Sequence, residues 1–364
     1  MQWYIERNII IEQGIKVAKI DVNNKKLTLD DQRQHSYQTL VLATGSTPRK
    51  LEIPGSELAG IHYLKTLADA QRLQQSLRTN QNLVIVGGGY IGLEVAANAQ
   101  QLGIKVTLLE HSESLLQRVA SKPLADYVLE QHRQHSVQIN CNANVVGFTA
   151  NSNDKGHCKD NQVKSVLLAD GQKIAADIVL IGIGSLANDT LAASTGIKCQ
   201  QGVIVDNMML TSDNNVFAIG DCSRFFSPLY DTQMRLESVQ NAQDQAVVAA
   251  KAILACQTPD KTKAETDLKL EPYNCVPRFW SDQYSDRIQI AGCTFVATQD
   301  VVRGDLSSGD FSVYRLDKHQ KIVAIESPNR SKEVAFGARL IAQQAKLDIA
   351  KIQDDSISFK KLTL

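Results

Sequence analysis

The sequence predicts an α/β protein built on a Rossmann-like βαβ unit, with a small α+β domain at its C-terminal end. Three observations carry this reading. Residues 82–110, "NLVIVGGGYIGLEVAANAQQLGIKVTLLE", set a glycine-rich turn between an apolar run and a helical pattern, and a second apolar run ends in an acid. Residues 265–364 read as strands followed by one helix. The chain has 364 residues, more than one core usually serves, so two or three domains are expected.

Taken in order, the chain opens on short alternating or apolar runs, "NIIIEQ", "KVAKIDV" and "KKLTLD", punctuated by Gly14 and Asn23-Asn24, which predict strands. "YQTLVLATG" predicts a buried strand ending in glycine, and "STPRKLEIPG" a proline-punctuated loop. Leu67, Ala70, Leu73 and Leu77 recur at helical spacing over residues 66–78. A βαβ unit follows, with strands at 83–86 and 104–109 around a helix at 90–101. That helix is expected to bury Ile91, Val95, Ala99 and Leu102, with Ala96 and Ala97 beside them.

Next come strands in "VQINCNANVVGFTA", a polar loop "NSNDKGHCKDNQ", and strands in "VKSVLLAD" and "DIVLIGIG". Short apolar strands at 202–206 and 216–219 precede "GDC". A helix is expected over 238–255, with Val239, Ala242, Ala246, Ala249 and Ala250 as its small-residue stripe. The polar, lysine-rich "QTPDKTKAETDLKLEP" reads as a linker. Beyond it "RIQIAGC", "DFSVYRLD" and "KIVAIES" predict strands, and 332–345 a helix.

Composition excludes several classes of function. Lys+Arg and Asp+Glu each total 39, so the net charge of zero removes any global attraction to nucleic acid or an anionic membrane. No apolar run approaches the roughly 20 residues of a membrane-spanning helix. The N-terminal "MQWYIERNIIIEQG" lacks the parts of a secretory signal. Seven scattered cysteines without a CxxC pair argue for a reducing cytoplasm and against a disulfide framework or a zinc site.

Gly87, Gly89 and Gly92 fit GxGxxG, a pattern in which each glycine has a separate task. The first permits the tight turn, the second lets backbone approach a pyrophosphate, and the third lets helix pack on strand. The free N–H groups of the helix start, around Tyr90 and Ile91, then face the phosphates. Glu110 ends the second strand and can accept both adenosine ribose hydroxyls. Such charge-assisted bonds are worth about 1.5–3 kcal/mol, and the same carboxylate repels a 2′-phosphate, so NADH is favoured over NADPH. Arg118, eight residues on, softens that discrimination.

"VLATGSTPRKLEIPG", "GGGYIGLEVA", "FAIGDCSR", "RLESVQNAQDQA" and "PRFWSDQYSDRIQIAG" follow one another in this order. Together they resemble the FAD-dependent, NADH-dependent ferredoxin and rubredoxin reductases that feed electrons to oxygenases. The resemblance implies two Rossmann-like FAD/NAD(P)-binding domains and a C-terminal domain closing over the flavin. Boundaries are expected at 1–44 and 185–264 for FAD, 45–184 for NAD(H) and 265–364 for the C-terminal reductase domain.

By the same resemblance, Ala43, Thr44 and Gly45 form the turn where backbone meets FAD, and Arg49 is the basic residue after it. Asp221 resembles the acid on the ribityl chain, Val239 the residue at the flavin pyrimidine, and Trp280 the aromatic against the isoalloxazine. Gly182 and Gly184 look like the close approach to NADH, Glu94 an acid near the nicotinamide, and Glu237 one near the flavin edge. Plainer roles stand beside these. Thr44-Gly45 could simply end a strand, Asp221 cap a helix, Trp280 pack an interface, and Glu94 answer a helix dipole.

The family carries a GxGxxG of its own for FAD near the N-terminus, and this sequence does not, so the FAD domain is expected to be N-terminally incomplete. Also absent is the family's Pro-Pro-Leu-Ser-Lys stretch, whose lysine partners the position of Glu94. Two readings follow: a fragment of an ordinary FAD reductase, or a short protein that keeps NADH but holds FAD poorly. The first is favoured, because a split parallel sheet without its central strand exposes apolar edges. The expected partner is a small iron–sulfur or iron electron-transfer protein, docking near Trp280, with no nucleic acid and no membrane. A non-catalytic NADH-binding protein and a flavoprotein NADH oxidase remain as alternatives.

Overall fold

Alternation along the strand Asn82–Val86 builds a sheet with two apolar faces. Leu83 and Ile85 enter one cluster with Leu93, Leu108, Ile178 and Leu180. Val84 and Val86 enter another with Leu109, Val179 and Ile181. Each such burial stabilises by roughly 1.5–3 kcal/mol, and strands apolar on both faces belong inside parallel sheets. The computed structural model describes residues 2–77, 82–152, 158–258 and 269–364. In it five parallel strands run in the order Ile61–His62, Ile178–Ile181, Asn82–Val86, Lys105–Leu109, Gln138–Asn140.

The chain forms two compact units, one of Met1–Ser46 with Ala187–Asn274 and one of Thr47–Leu186 with Cys275–Leu364. The second unit holds the parallel sheet and a five-stranded antiparallel sheet. The latter is ordered Arg278–Gln283, Asp286–Gly292, Ile322–Ser327, Asp310–Leu316, Gln299–Asp305, with helix Ser331–Ala342 packed on it. A shared core joins these two sheets. Ile288, Ile290, Phe311 and Val313 lie in the same cluster as Leu83 and Ile85.

In the first unit Leu40–Leu42 runs parallel to Val216–Ala218, and Val203–Val205 runs parallel to Ser223–Ser227. Helix Val239–Gln257 follows, capped by Ser238, whose hydroxyl accepts from the Asn241 N–H at 3.2 Å. A three-stranded antiparallel sheet of Val17–Asp21, Lys26–Leu29 and Gln34–Ser36 completes the strands near the N-terminus.

Several expectations are corrected. "NIIIEQ" forms no strand, and Ile10 is 90% exposed, because no strand among the described residues offers that run a ladder partner. A helix Gln2–Ile5 stands just ahead of it. The polar loop shortens, since the strand Cys158–Leu168 begins inside it and pairs with Val145–Ser152. The central part of the expected linker, 259–268, lies outside the described residues, as does Arg78 at the end of the 66–78 helix. Two further strands, Arg278–Gln283 and Gln299–Asp305, join the C-terminal sheet.

Two helices also turn different faces inward. Helix Tyr90–Gln101 buries Gly92, Leu93, Ala96, Ala97 and Ala99, while Ile91 is exposed and so is Leu102, just past its end. Gly92 and the alanines allow close approach on that side, and Val95 packs half-buried against the same cluster. Helix Val239–Gln257 buries Asn241, Gln245, Ala249, Ala252 and Ala255; of the expected stripe only Ala249 is buried, with Ala242 and Ala246 half-buried and Val239 and Ala250 exposed. The reason is polar. The Asn241 amide donates to Leu236 O and accepts from Tyr273, and Gln245 Oε1 accepts from the Gly220 N–H and Ser223 Oγ.

Candidate functional site

In the second unit the strand Asn82–Val86 delivers the chain into the glycine turn. Gly87 takes φ +113°, and a Cβ there would stand 2.3 Å from the Gly182 carbonyl oxygen. A Cβ on Gly92 would stand 2.2 Å from the Gly87 carbonyl oxygen, so the helix start closes directly on the turn. Gly89 is different: nothing lies within 4 Å of the position its Cβ would take. It caps the helix with no side-chain hydrogen bond. Main-chain donors and the positive end of the dipole therefore meet an open space, an arrangement that fits a phosphate group.

Glu110 is tied to that turn. One of its oxygens accepts from the Gly88 N–H at 2.6 Å and the other from the Ser112 N–H at 2.7 Å. A carboxylate has about four acceptor positions, so capacity remains for ribose hydroxyls. The adenosine half of NAD fits these residues. Beside the turn, Gly184 takes φ +101°, with the Arg118 guanidinium 3.9 Å from where a Cβ would sit. Arg118 itself is exposed. Ile91 is 49% exposed at the turn. The Tyr90 hydroxyl is buried without a hydrogen-bond partner, and burial pushes its phenol far up.

Glu94, one helical turn on, reaches the strand Arg278–Gln283. It accepts from Ser281 Oγ at 2.8 Å and from the Asp282 N–H, and burial raises its carboxyl above the usual range. Trp280 points away from Ser281 on the same strand and is 46% exposed. Arg49 is exposed, and its backbone N–H donates to Gly184 O at 2.9 Å.

In the first unit, parallel strands Leu40–Leu42 and Val216–Ala218 end side by side, so Ala43–Gly45 and Gly220–Cys222 emerge from neighbouring strand ends. Thr44 Oγ1 donates to Asn188 O at 2.6 Å, and Asn188 Nδ2 donates back to Thr44 O at 2.8 Å. The Asn188 N–H donates to Gly45 O, where φ is +67°. Buried Ser46 donates to Asp221 Oδ2 at 2.9 Å and lies 3.5 Å from Glu237 Oε2. Arg235 pairs with Glu237 at 2.6 Å and donates to Asp221 O at 3.1 Å. Asp221 thus sits within a bonded acid cluster, and Ser238 is the residue that caps the following helix. Val239 opens that helix 56% exposed. Exposed backbone at Ala43-Thr44, a fixed carboxylate and an exposed apolar side chain fit the ribityl and ring parts of a flavin.

Sequence reasoning missed Ser46, Arg235, Asn188 and Gln245. Ser46 had a signal, a hydroxyl directly after a strand-ending glycine. Arg235 and Gln245 stand inside "RLESVQNAQDQA" without any spacing that singles them out, and Asn188 reaches the site from a distant segment. Among the described residues no cluster of His, Cys, Asp and Glu could hold a metal, and no helix is long and apolar enough to cross a membrane.

Residues 4–246 match the pyridine nucleotide-disulphide oxidoreductase family, and residues 278–363 match the reductase C-terminal family. Among curated proteins, the chain is 34% identical over 362 residues to putidaredoxin reductase of Pseudomonas putida, covering 99% of this chain and 81% of that one. It is 32% identical over 330 residues to rubredoxin-NAD(+) reductase of Pseudomonas putida, covering 91% of this chain and 80% of that one. Among solved structures it is similar to the covalent putidaredoxin reductase–putidaredoxin complex, with a TM-score of 0.89 at 33% identity, covering 99% of this chain and 82% of that one.

Proposed function

We infer a function from one premise: the chain belongs to the pyridine nucleotide-disulphide oxidoreductase family, among its FAD-dependent ferredoxin and rubredoxin reductases. It is an NADH-dependent flavin oxidoreductase that delivers electrons to a small iron–sulfur or iron protein. The observation that carries this is the glycine turn, with open space at Gly89 and Glu110 bonded to the Gly88 N–H. A bound flavin would supply the redox chemistry, taking two electrons from NADH and passing them on singly.

The chain's own residues bind and orient. Main-chain N–H groups around Gly87, Gly89, Tyr90, Ile91 and Gly92 take the NADH pyrophosphate, and Glu110 takes the ribose. Gly182 and Gly184 keep backbone close to the nucleotide, and Arg118 flanks it. Ala43, Thr44, Gly45, Arg49, Asp221, Val239 and Trp280 hold the FAD, with Ser46 setting the Asp221 carboxylate. Glu94 lies near the nicotinamide and Glu237, paired with Arg235, near the flavin edge.

Residues 1–44 and 185–264 serve FAD, 45–184 serve NADH and 265–364 form the reductase C-terminal domain. The acceptor docks near Trp280, where exposed Arg278 and Asp282 supply charge for complementary pairing. The protein works in the cytoplasm, in keeping with its scattered cysteines.

The test is NADH-driven reduction of an added ferredoxin or rubredoxin by the FAD-supplied protein, with oxygen uptake recorded in parallel. Reduction of the iron protein, faster with NADH than with NADPH, is expected. Rapid oxygen uptake with an idle iron protein would instead mark an NADH oxidase.

A further inference from the structure

Behind Glu94 lies a run of polar side chains that the proposed chemistry does not use. Ser281, Gln283 and His132 are all at most 3% exposed, deeper than most polar groups. His132 comes from helix Lys122–Gln134, and the other two from strand Arg278–Gln283. At the far end stands Tyr284, in the hairpin turn after that strand, held at φ +54°, a conformation few non-glycine residues take.

Their bonds join into one line. Tyr284 Oη is 3.0 Å from His132 Nδ1, and His132 Nε2 is 3.0 Å from Gln283 Oε1. Gln283 Nε2 donates to Ser281 Oγ at 3.0 Å, and Ser281 Oγ donates to Glu94 Oε1 at 2.8 Å. An amide oxygen only accepts, so His132 carries its proton on Nε2, and its bare Nδ1 accepts from Tyr284. Every donor then points toward the Glu94 carboxylate, and aligned bonds of this kind polarise one another.

We propose that this line makes His132 a positioning residue for Glu94, with the charge on Glu94 and the tautomer of His132 locked together. When Glu94 takes up a proton it becomes the donor to Ser281. Each following bond reverses, Gln283 turns its amide over, and His132 moves its own proton to Nδ1 and donates to Tyr284. One proton is gained, by Glu94, and His132 stays neutral. The functional weight of the lock rests on the reading above, in which Glu94 lies by the nicotinamide. Other titratable groups acting on the line are Asp282 at Glu94 and His135 at His132.

The test is a pH titration by NMR of the nucleotide-free full chain, with labelled histidine nitrogens and glutamate carboxyl carbons. Nitrogen shifts separate the two neutral tautomers from the imidazolium. The His132 tautomer is expected to invert with the same midpoint as the Glu94 carboxyl, and Ser281→Ala to uncouple the two. A His132 tautomer that stays constant through the Glu94 titration overturns the proposal from the wild-type chain alone, whatever the variant does. So does a shared midpoint that survives Ser281→Ala. NADH binding is measured separately by fluorescence quenching. Intact binding with unlinked titrations sinks this inference alone, and linked titrations without binding sink the proposed function alone.

Discussion

Gly89 and Gly92 sit three residues apart in one motif, yet they answer to different forces. Gly92 abuts the Gly87 carbonyl, whereas Gly89 opens on empty space with backbone angles any residue adopts. Gly92→Ala is therefore expected to cost stability by about 1–3 kcal/mol through overpacking. Gly89→Ala should leave the melting temperature unchanged while weakening NADH binding by about tenfold, roughly 1.4 kcal/mol. Thermal unfolding and NADH quenching on both variants separate the two effects, and equal loss of stability in both would refute the distinction. The glycines and Glu110 were legible because spacing alone encodes them. Ser46 and Arg235 were not, since they matter only once strands that are distant in sequence end side by side.

At the scale of the element, helix Val239–Gln257 shows how an apolar stripe can mislead. Its inward face is set by Asn241, whose amide is met by Tyr273 and Leu236, and by Gln245, whose amide oxygen accepts from Gly220 and Ser223. A hydrophobicity pattern cannot find such a face, because it counts these residues as solvent-facing. Gln245→Ala leaves the buried Gly220 N–H without its acceptor, at an expected cost of about 1–3 kcal/mol. Urea denaturation reads that cost, and a change below about 0.5 kcal/mol would put the stabilising contact elsewhere, within the range of ordinary surface substitutions. "NIIIEQ" erred in the opposite sense. Its β-branched residues favour a strand, but a strand forms only against a partner.

For the whole molecule, the parallel sheet and the C-terminal sheet share one core in the second unit, and Glu326 is buried beside it. Its carboxylate accepts from the Ser121 N–H at 2.9 Å and from Arg315 at 3.4 Å, yet burial dominates and raises its pKa. A raised carboxyl binds its proton more tightly in the folded chain than in the unfolded one. The stability it contributes is present below the unfolded value and is lost as pH rises through the folded one. The unfolding free energy of wild type minus that of Glu326→Gln should therefore fall with pH across that window. A difference that rises with pH would mean that the bonds to Ser121 and Arg315 outweigh burial. The strands around 83–86 and 104–109 could be read from their apolar runs, and the glycine turn from its spacing. The shared core could not, because nothing local in Ile288 or Phe311 says which sheet lies opposite.

On this reading, electrons enter the chain from NADH and leave through a bound flavin. The most direct test is an anaerobic titration of the FAD-supplied, gel-filtered protein with NADH, followed by visible absorption. A retained flavin band is expected that bleaches with stoichiometric NADH, needs a large excess of NADPH, and returns when an oxidised ferredoxin or rubredoxin is added. A protein that retains no flavin, or whose flavin band NADH leaves unchanged, would contradict it.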